Sequence, residues 1–231
     1  MTRRRALCAL QRGERSLASG TKAAESPASV PLGVAAFGVW GANTGVGKTL
    51  LSAALVAAQV SATRSGALFL KPLQTGFPSD SDAELVAAAA ARASGAGDVT
   101  HSAGDHAAVA AAAGGARPRW LSHVGDGGVS VVCRTLFAWT AAVGPHAAVE
   151  LEGRGVTDTA VVEAVARELN IWAGGHGTLA LVEGAGGVAS PGPSGALQCD
   201  VYRRLRLPAV LVGDGRLGCV RLLLALLVSY N

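Results

Sequence analysis

The nine residues GANTGVGKT, 41–49, restrict the folds open to this chain more than any other stretch. They join one apolar run, VAAFGVW, directly to another, LLSAALVAAQV. A loop that wraps phosphate needs backbone N–H groups turned inward, and so residues that tolerate unusual φ and ψ. It also needs a helix whose N-terminal N–H groups and dipole face the anion. Gly41, Gly45 and Gly47 meet the first demand, and a helix opening at Lys48-Thr49 meets the second. The literal phosphate-loop pattern places a Gly, four residues, then Gly-Lys-Ser/Thr. Ala42 stands at that first position and Gly41 comes one residue early, so a strict pattern misses a loop whose chemistry fits. A plain turn would explain the glycines but not a Gly-Lys-Thr ending at a strand-to-helix junction. In such a loop Lys48 reaches the β- and γ-phosphates and the Thr49 hydroxyl ligates Mg²⁺.

Lysine usage points the same way. Of 20 basic side chains only Lys22, Lys48 and Lys71 are lysines, and two of these sit in motif-like stretches. A lysine ammonium is a compact point charge on a flexible stem, a role that Arg does not fill in a tight phosphate pocket.

The flanking pattern predicts a strand at 34–40, a loop at 41–47 and a helix from Lys48 to about Val60. ALFL, 67–70, reads as a second strand, and Asp80 or Ser81 as the cap of a helix through 83–93. Residues 94–130 are Gly/Ala-rich and read as a flexible insertion; His101, His106 and His123 read as solvated loop histidines. Order resumes at VSVVCRTLFAW. A helix follows over 157–170, with Thr157, Asp158 and Thr159 as cap candidates, then buried strands at 178–184 and 207–214. Strands alternating with helices argue for an α/β fold with a parallel sheet.

Charge and cysteine content exclude several classes. Arg3, Arg4, Arg5, Arg12 and Arg15 against Glu14 account for the whole net charge of +4, so the rest of the chain is neutral. It lacks the concentrated basic face of a nucleic-acid binder. The leader is arginine-rich with no apolar h-region, which is transit-peptide chemistry, a disordered basic terminus being the alternative. Residues 1–32 are accordingly read as transit peptide and linker, mitochondrial with plastid or cytoplasm as alternatives. Cys8, Cys133, Cys199 and Cys219 are far apart and read as reduced thiols. The late apolar run LLLALLV is too short to cross a bilayer.

Two further pieces carry chemistry. In LKPLQTGFPSDSDAEL, 70–85, Lys71 ends a predicted strand, where open α/β sheets place their ligands. Asp82 there is either a partner of the helix dipole or a carboxylate for the magnesium that Thr49 requires. In LVEGAGG, 181–187, an apolar strand ends in Glu183, the pattern that supplies a carboxylate to Mg²⁺ or its waters.

GANTGVGKT, KPLQTG and LVEGAGG, in this order, resemble dethiobiotin synthetase, as do SDAEL at 81–85, GPH at 144–146 and RLGC at 216–219. The likeness covers roughly 34–93 and 133–219, and RTLFAW and the leader are most similar to the plant and algal organellar form, in which an aminotransferase domain follows. The resemblance implies a P-loop NTPase-type, mostly parallel sheet with flanking helices over 33–231. It implies ATP, Mg²⁺, CO₂ and 7,8-diaminononanoate as reactants in a ring-closing ligation, and a homodimer. Lys48 and Lys71 become the catalytic lysines; Gly45, Val46, Gly47, Lys48, Thr49, Leu50, Glu183, Gly184, Ala185 and Gly186 the nucleotide site. Thr75, Pro145 and His146 become substrate contacts, and Thr49, Asp82 and Glu183 the metal ligands. Ala42 and Asn43 stand where the family has Thr and Asp. The family's adenine-recognising segment has no counterpart before Asn231, so the domain is expected to be incomplete at its C-terminus. Two other readings stay open. One is a partitioning-type P-loop switch ATPase, although the second lysine typical of those is absent from Gly41–Thr44. The other is a non-catalytic truncated fragment.

Overall fold

A computed structural model describes residues 33–95, 100–102, 120–126, 129–175 and 178–214. The basic leader, His106 and the RLGC stretch lie outside the described residues. β1 (Ala35–Gly41), α1 (Lys48–Thr63), β2 (Ala67–Gln74) and α2 (Asp82–Ser94) come first. β3 (Thr100–Ser102), β4 (Trp120–Asp126), β5 (Val129–Ala138), α3 (Pro145–Glu152) and α4 (Asp158–Gly174) follow. β6 (Leu179–Glu183), α5 (Gln198–Tyr202), a 3-10 turn at Arg203–Leu205 and β7 (Ala209–Val212) complete the order.

The strands form one sheet in the order β3-β4-β5-β2-β6-β1-β7. β5, β2, β6, β1 and β7 run parallel, and β4 and β3 are added antiparallel at one edge. β6 lies between β1 and β2, so the carboxyl ends of three strands, carrying the 41–47 loop, Lys71 and Glu183, meet side by side. Ligands of open α/β sheets bind outside such carboxyl ends.

β2 shows why this sheet needs helices on both faces. All eight of its residues are buried. Ala67 and Phe69 pack with Val56 and Val60 of α1 and Val86 and Ala90 of α2. Leu68 and Leu70 enter the opposite cluster, with Val161, Val165 and Leu169 of α4. Successive side chains alternate faces, so a strand covered on both sides must be apolar throughout. Lys71 and Gln74 break that rule at the end where the site lies.

Caps decide the helix starts. Ser81 rather than Asp80 caps α2, its hydroxyl accepting from Glu84 N–H, with Asp82 and Glu84 in the first turn. Thr157 caps α4 by accepting from Ala160 N–H. α4 runs past Asn170 to Gly174 because Trp172 is tied to the sheet, its indole N–H donating to Leu179 O at 3.1 Å.

Two expectations are corrected. β2 continues through KPLQ instead of ending at Leu70. A proline inside a central strand is normally excluded by its missing N–H. Here pairing with β6 stops at Leu70, and the β5 register passes over Pro72, from Lys71↔Thr135 to Leu73↔Phe137. The stretch 94–130, read as a flexible insertion, supplies β3 and β4, so His101 and His123 fall on strands and not in a loop. The β4–β5 register runs from Trp120↔Thr135 to Asp126↔Val129. The GPH segment opens a helix, α3, with Pro145 in its first turn.

Candidate active site

The loop after β1 turns on two glycines in the left-handed region, Gly45 at φ 74° and Gly47 at φ 98°. Side-chain-bearing residues rarely adopt these values, and they set the Gly47 N–H side of α1 toward the cleft. Lys48 is the first residue of α1 and only 6% exposed; its ammonium curls back to Asn43 O at 3.2 Å. Burial, and then the charge of Lys71, lower its pKa from the ordinary lysine value.

Four polar side chains from four elements meet beside it. Thr49 Oγ1 of α1 lies 2.8 Å from Glu183 Oε1 of β6 and 3.0 Å from Asp82 Oδ1 of α2, its single proton shared between them. Lys71 Nζ of β2 stands 2.9 Å from the same Glu183 oxygen, 2.5 Å from Asp82 Oδ2 and 3.3 Å from Gly184 O. Burial alone would push Lys71 toward neutrality; Glu183 and Asp82 outweigh it and hold the pKa above the ordinary value. Lys71 is therefore a firmly charged ammonium between two carboxylates.

The donors suit a small hard cation. Thr49 Oγ1, Asp82 Oδ1 and Glu183 Oε1 are all oxygen, and both carboxylate oxygens lie within 3.0 Å of the Thr49 hydroxyl. Mg²⁺ uses one or two carboxylates and completes its octahedron with water and phosphate oxygen. Among the described residues no group of three His, Cys, Asp or Glu gathers at metal-holding range. The cation now touching both carboxylates is the Lys71 ammonium.

The residues named from sequence are mostly brought together. Gly45, Gly47, Lys48, Thr49, Leu50, Lys71, Thr75, Asp82, Glu183, Ala185 and Gly186 line one cleft of about 350 Å³. Leu50 forms its outer rim, 70% exposed. Val46 and Gly184 do not line it. Gly184 acts through its backbone, donating to Val39 O and accepting from Lys71. Pro145 and His146 lie apart, in a second cavity of about 460 Å³ that shares Thr44, Thr75, Asp80, Ala185 and Gly186 with the first. The two spaces are contiguous. His146 Nδ1 is buried without a hydrogen-bond partner among the described residues.

Sequence reading missed three supporting residues. Ser52 Oγ donates to Glu183 Oε2 at 2.7 Å. Gln74 Oε1 accepts from Asp82 N–H at 3.3 Å, placing the start of α2. Gln198 grips the loop after Glu183 with both ends of its amide, accepting from Ala185 N–H at 3.0 Å and donating to Ala185 O at 2.7 Å. A polar residue three positions after Thr49, on the same helix face and within the apolar stretch from Leu50 to Ala58, was a usable signal for Ser52. For Gln198 the sequence held none.

With this geometry in place, comparison with known proteins is specific. A family model described as an AAA domain matches residues 36–103. The mitochondrial bifunctional dethiobiotin synthetase/7,8-diamino-pelargonic acid aminotransferase of Oryza sativa subsp. japonica is 49% identical over 207 residues, 82% of this chain and 25% of that protein. Its counterpart in Arabidopsis thaliana is 39% identical over 218 residues, 84% of this chain and 26% of the relative. The ATP-dependent dethiobiotin synthetase BioD of Anaeromyxobacter dehalogenans is 33% identical over 184 residues, 79% of this chain and 64% of its own length. The chain thus spans a quarter of the plant relatives it matches.

Proposed function

This chain is a relative of the dethiobiotin synthetases, and from that kinship we propose that it closes 7,8-diaminononanoate with CO₂ to dethiobiotin at the expense of ATP, in biotin biosynthesis. The observation that carries the proposal is the convergence of Lys48, Thr49, Lys71, Asp82 and Glu183 in one cleft that opens into the Pro145–His146 cavity. One space suits a triphosphate and the other a short diamine carrying a carboxylate.

In the proposed reaction one substrate amine adds to CO₂ and loses a proton, giving a carbamate. A carbamate oxygen attacks the γ-phosphorus, forming an O–P bond as the bond to ADP breaks. The second amine then attacks the carbamoyl carbon and releases phosphate as the cyclic urea closes. An anion attacking an anion is opposed by charge, so catalysis consists of positioning and neutralisation. Lys48 holds the β- and γ-phosphates from the mouth of α1. Lys71, kept charged by its two carboxylates, moves from them to the carbamate. Thr49, Asp82 and Glu183 would hold Mg²⁺, which when bound offsets triphosphate charge. Thr75 stands on the wall common to both cavities, where substrate and γ-phosphate meet. The nucleophile belongs to the substrate, so no Ser-His-Asp arrangement is required.

The same reading makes residues 33–231 the synthetase domain, residues 1–32 a transit peptide and linker, and residues 94–130 an insertion. The destination is mitochondrial, the word carried in the names of both plant relatives, and the active form a homodimer. The test is dethiobiotin formation, followed by mass spectrometry, from Mg-ATP, bicarbonate and 7,8-diaminononanoate with the full chain. Product should form and fall about a thousandfold in Lys71→Ala, the order of loss when a transition-state charge loses its partner. Absence of product from a chain that still binds Mg-ATP would overturn the proposal.

A further inference from the structure

Glu183 is fully buried at the end of β6, and its two oxygens are partnered differently. Oε1 faces the cleft, 2.8 Å from Thr49 Oγ1 and 2.9 Å from Lys71 Nζ. Oε2 turns away from the cleft to Ser52 Oγ, at 2.7 Å. Ser52 is itself fully buried, one turn beyond Thr49 on α1, and is absent from the cleft lining. A serine in a helix interior usually returns its proton to the carbonyl four residues back. Here it crosses instead to a carboxylate on a neighbouring strand.

We propose that Ser52 is a positioning residue for magnesium: by holding Oε2 it fixes the plane of the Glu183 carboxylate and presents Oε1 beside Thr49 and Asp82. The inference rests on the reading of these three oxygens as the Mg²⁺ ligands. Without the Ser52 hydroxyl, Oε2 is left buried and unpaired, and the carboxylate gains by rotating both oxygens toward the Lys71 ammonium. The metal must then compete with a tighter ion pair. Outer partners of metal-binding carboxylates commonly govern affinity in this way.

The experiment titrates Mg²⁺ against binding of ATP to the full chain by calorimetry, which needs no turnover. Ser52→Ala removes the hydroxyl, and Ser52→Cys fills its volume with a poor donor. Both should raise the half-saturating Mg²⁺ concentration about tenfold to a hundredfold. The apparent KM for 7,8-diaminononanoate at saturating Mg²⁺ should change little. Val56→Ala, a buried core truncation on the same helix, controls for general loosening and should lower the melting temperature without moving the Mg²⁺ requirement. A wild-type Mg²⁺ requirement in Ser52→Ala, or an equal shift in Val56→Ala, would overturn the proposal. Wild-type chain that binds Mg-ATP but makes no dethiobiotin removes the substrate assignment and leaves the Ser52 result readable as stated. Wild-type chain that binds no Mg-ATP overturns both.

Discussion

At the scale of single residues, Lys71 does two things in one place. It supplies a positive charge to the cleft, and it keeps two carboxylates compatible with burial. Glu183 is fully buried and the Asp82 side chain is 19% exposed, and both touch the same ammonium. Breaking a buried pair by removing one partner leaves an uncompensated charge, a loss of about 3–5 kcal/mol. Lys71→Ala should therefore lower the melting temperature in metal-free buffer. Added Mg²⁺ should restore much of that loss, and raise the melting temperature of the variant more than that of the wild type. Differential scanning calorimetry with EDTA and then with Mg²⁺ checks this. Equal Mg²⁺ responses in the two proteins would mean that the cation does not settle among these oxygens. Lys48 behaves differently, because burial and the charge of Lys71 disfavour its own. In the proposed reaction an arriving phosphate would offset both penalties, which gives a physical reason for two lysines in one cleft.

At the scale of elements, the site is held by loops pinned from behind. The loop after β6 is pinned by Gln198, and Val188 N–H donates to Gly41 O at 2.9 Å, so the loops after β1 and β6 set each other. The wall of the second cavity is fixed by the end of α3. Glu152 Oε1 accepts from Ala141 N–H at 2.8 Å, and Arg154 bridges Glu152 to Ala138 O. Burial works against the Glu152 carboxylate, but the Ala141 N–H and Arg154 prevail and hold its pKa below the ordinary 4.5. An acid so depressed stabilises the fold fully above the unfolded value of 4.5 and loses that contribution as pH falls through its folded value. Glu152→Gln should cost about 1 kcal/mol at neutral pH. The difference from wild type should shrink as pH is taken below 4.5, as denaturant midpoints measured from pH 7 to pH 3 would show. A difference constant across that window would remove Glu152 from the acid dependence.

At the scale of the whole molecule, the functional end is carried by the most deeply buried part of the sheet. Phe69 of β2 is fully buried, two residues before Lys71, within the cluster shared by α1 and α2. Phe69→Ala should destabilise the chain by about 3–5 kcal/mol. Urea unfolding should show a lower midpoint with an unchanged slope. ATP affinity of the fraction still folded should stay near wild type, since Phe69 is not among the residues that line the cleft. A large loss of affinity in the folded fraction would mean that strain from the core reaches the phosphate loop. The antiparallel edge of β4 and β3 lies on the far side of β5 from these strands.

By itself the sequence determined whatever depends on near neighbours in the chain. GANTGVGKT specified a strand, a phosphate-wrapping turn and a helix start, because backbone freedom and helix N–H groups are properties of nine consecutive residues. Asp80 or Ser81, and Thr157 to Thr159, marked the neighbourhood of two helix starts for the same local reason, and the structure chose Ser81 and Thr157. Lys71, Asp82 and Glu183 stood out as chemistry-bearing residues in family-like stretches, but nothing in their spacing along the chain placed them together. Thr49 and Glu183 are 134 positions apart and touch only because β6 pairs between β1 and β2. The tertiary structure alone decided that meeting. It also decided the continuity of the two cavities, the extension of β2 through Pro72 and the roles of Ser52 and Gln198. Each depends on strand order and register, which arise from burying both faces of a sheet at once, a condition no local window of sequence expresses.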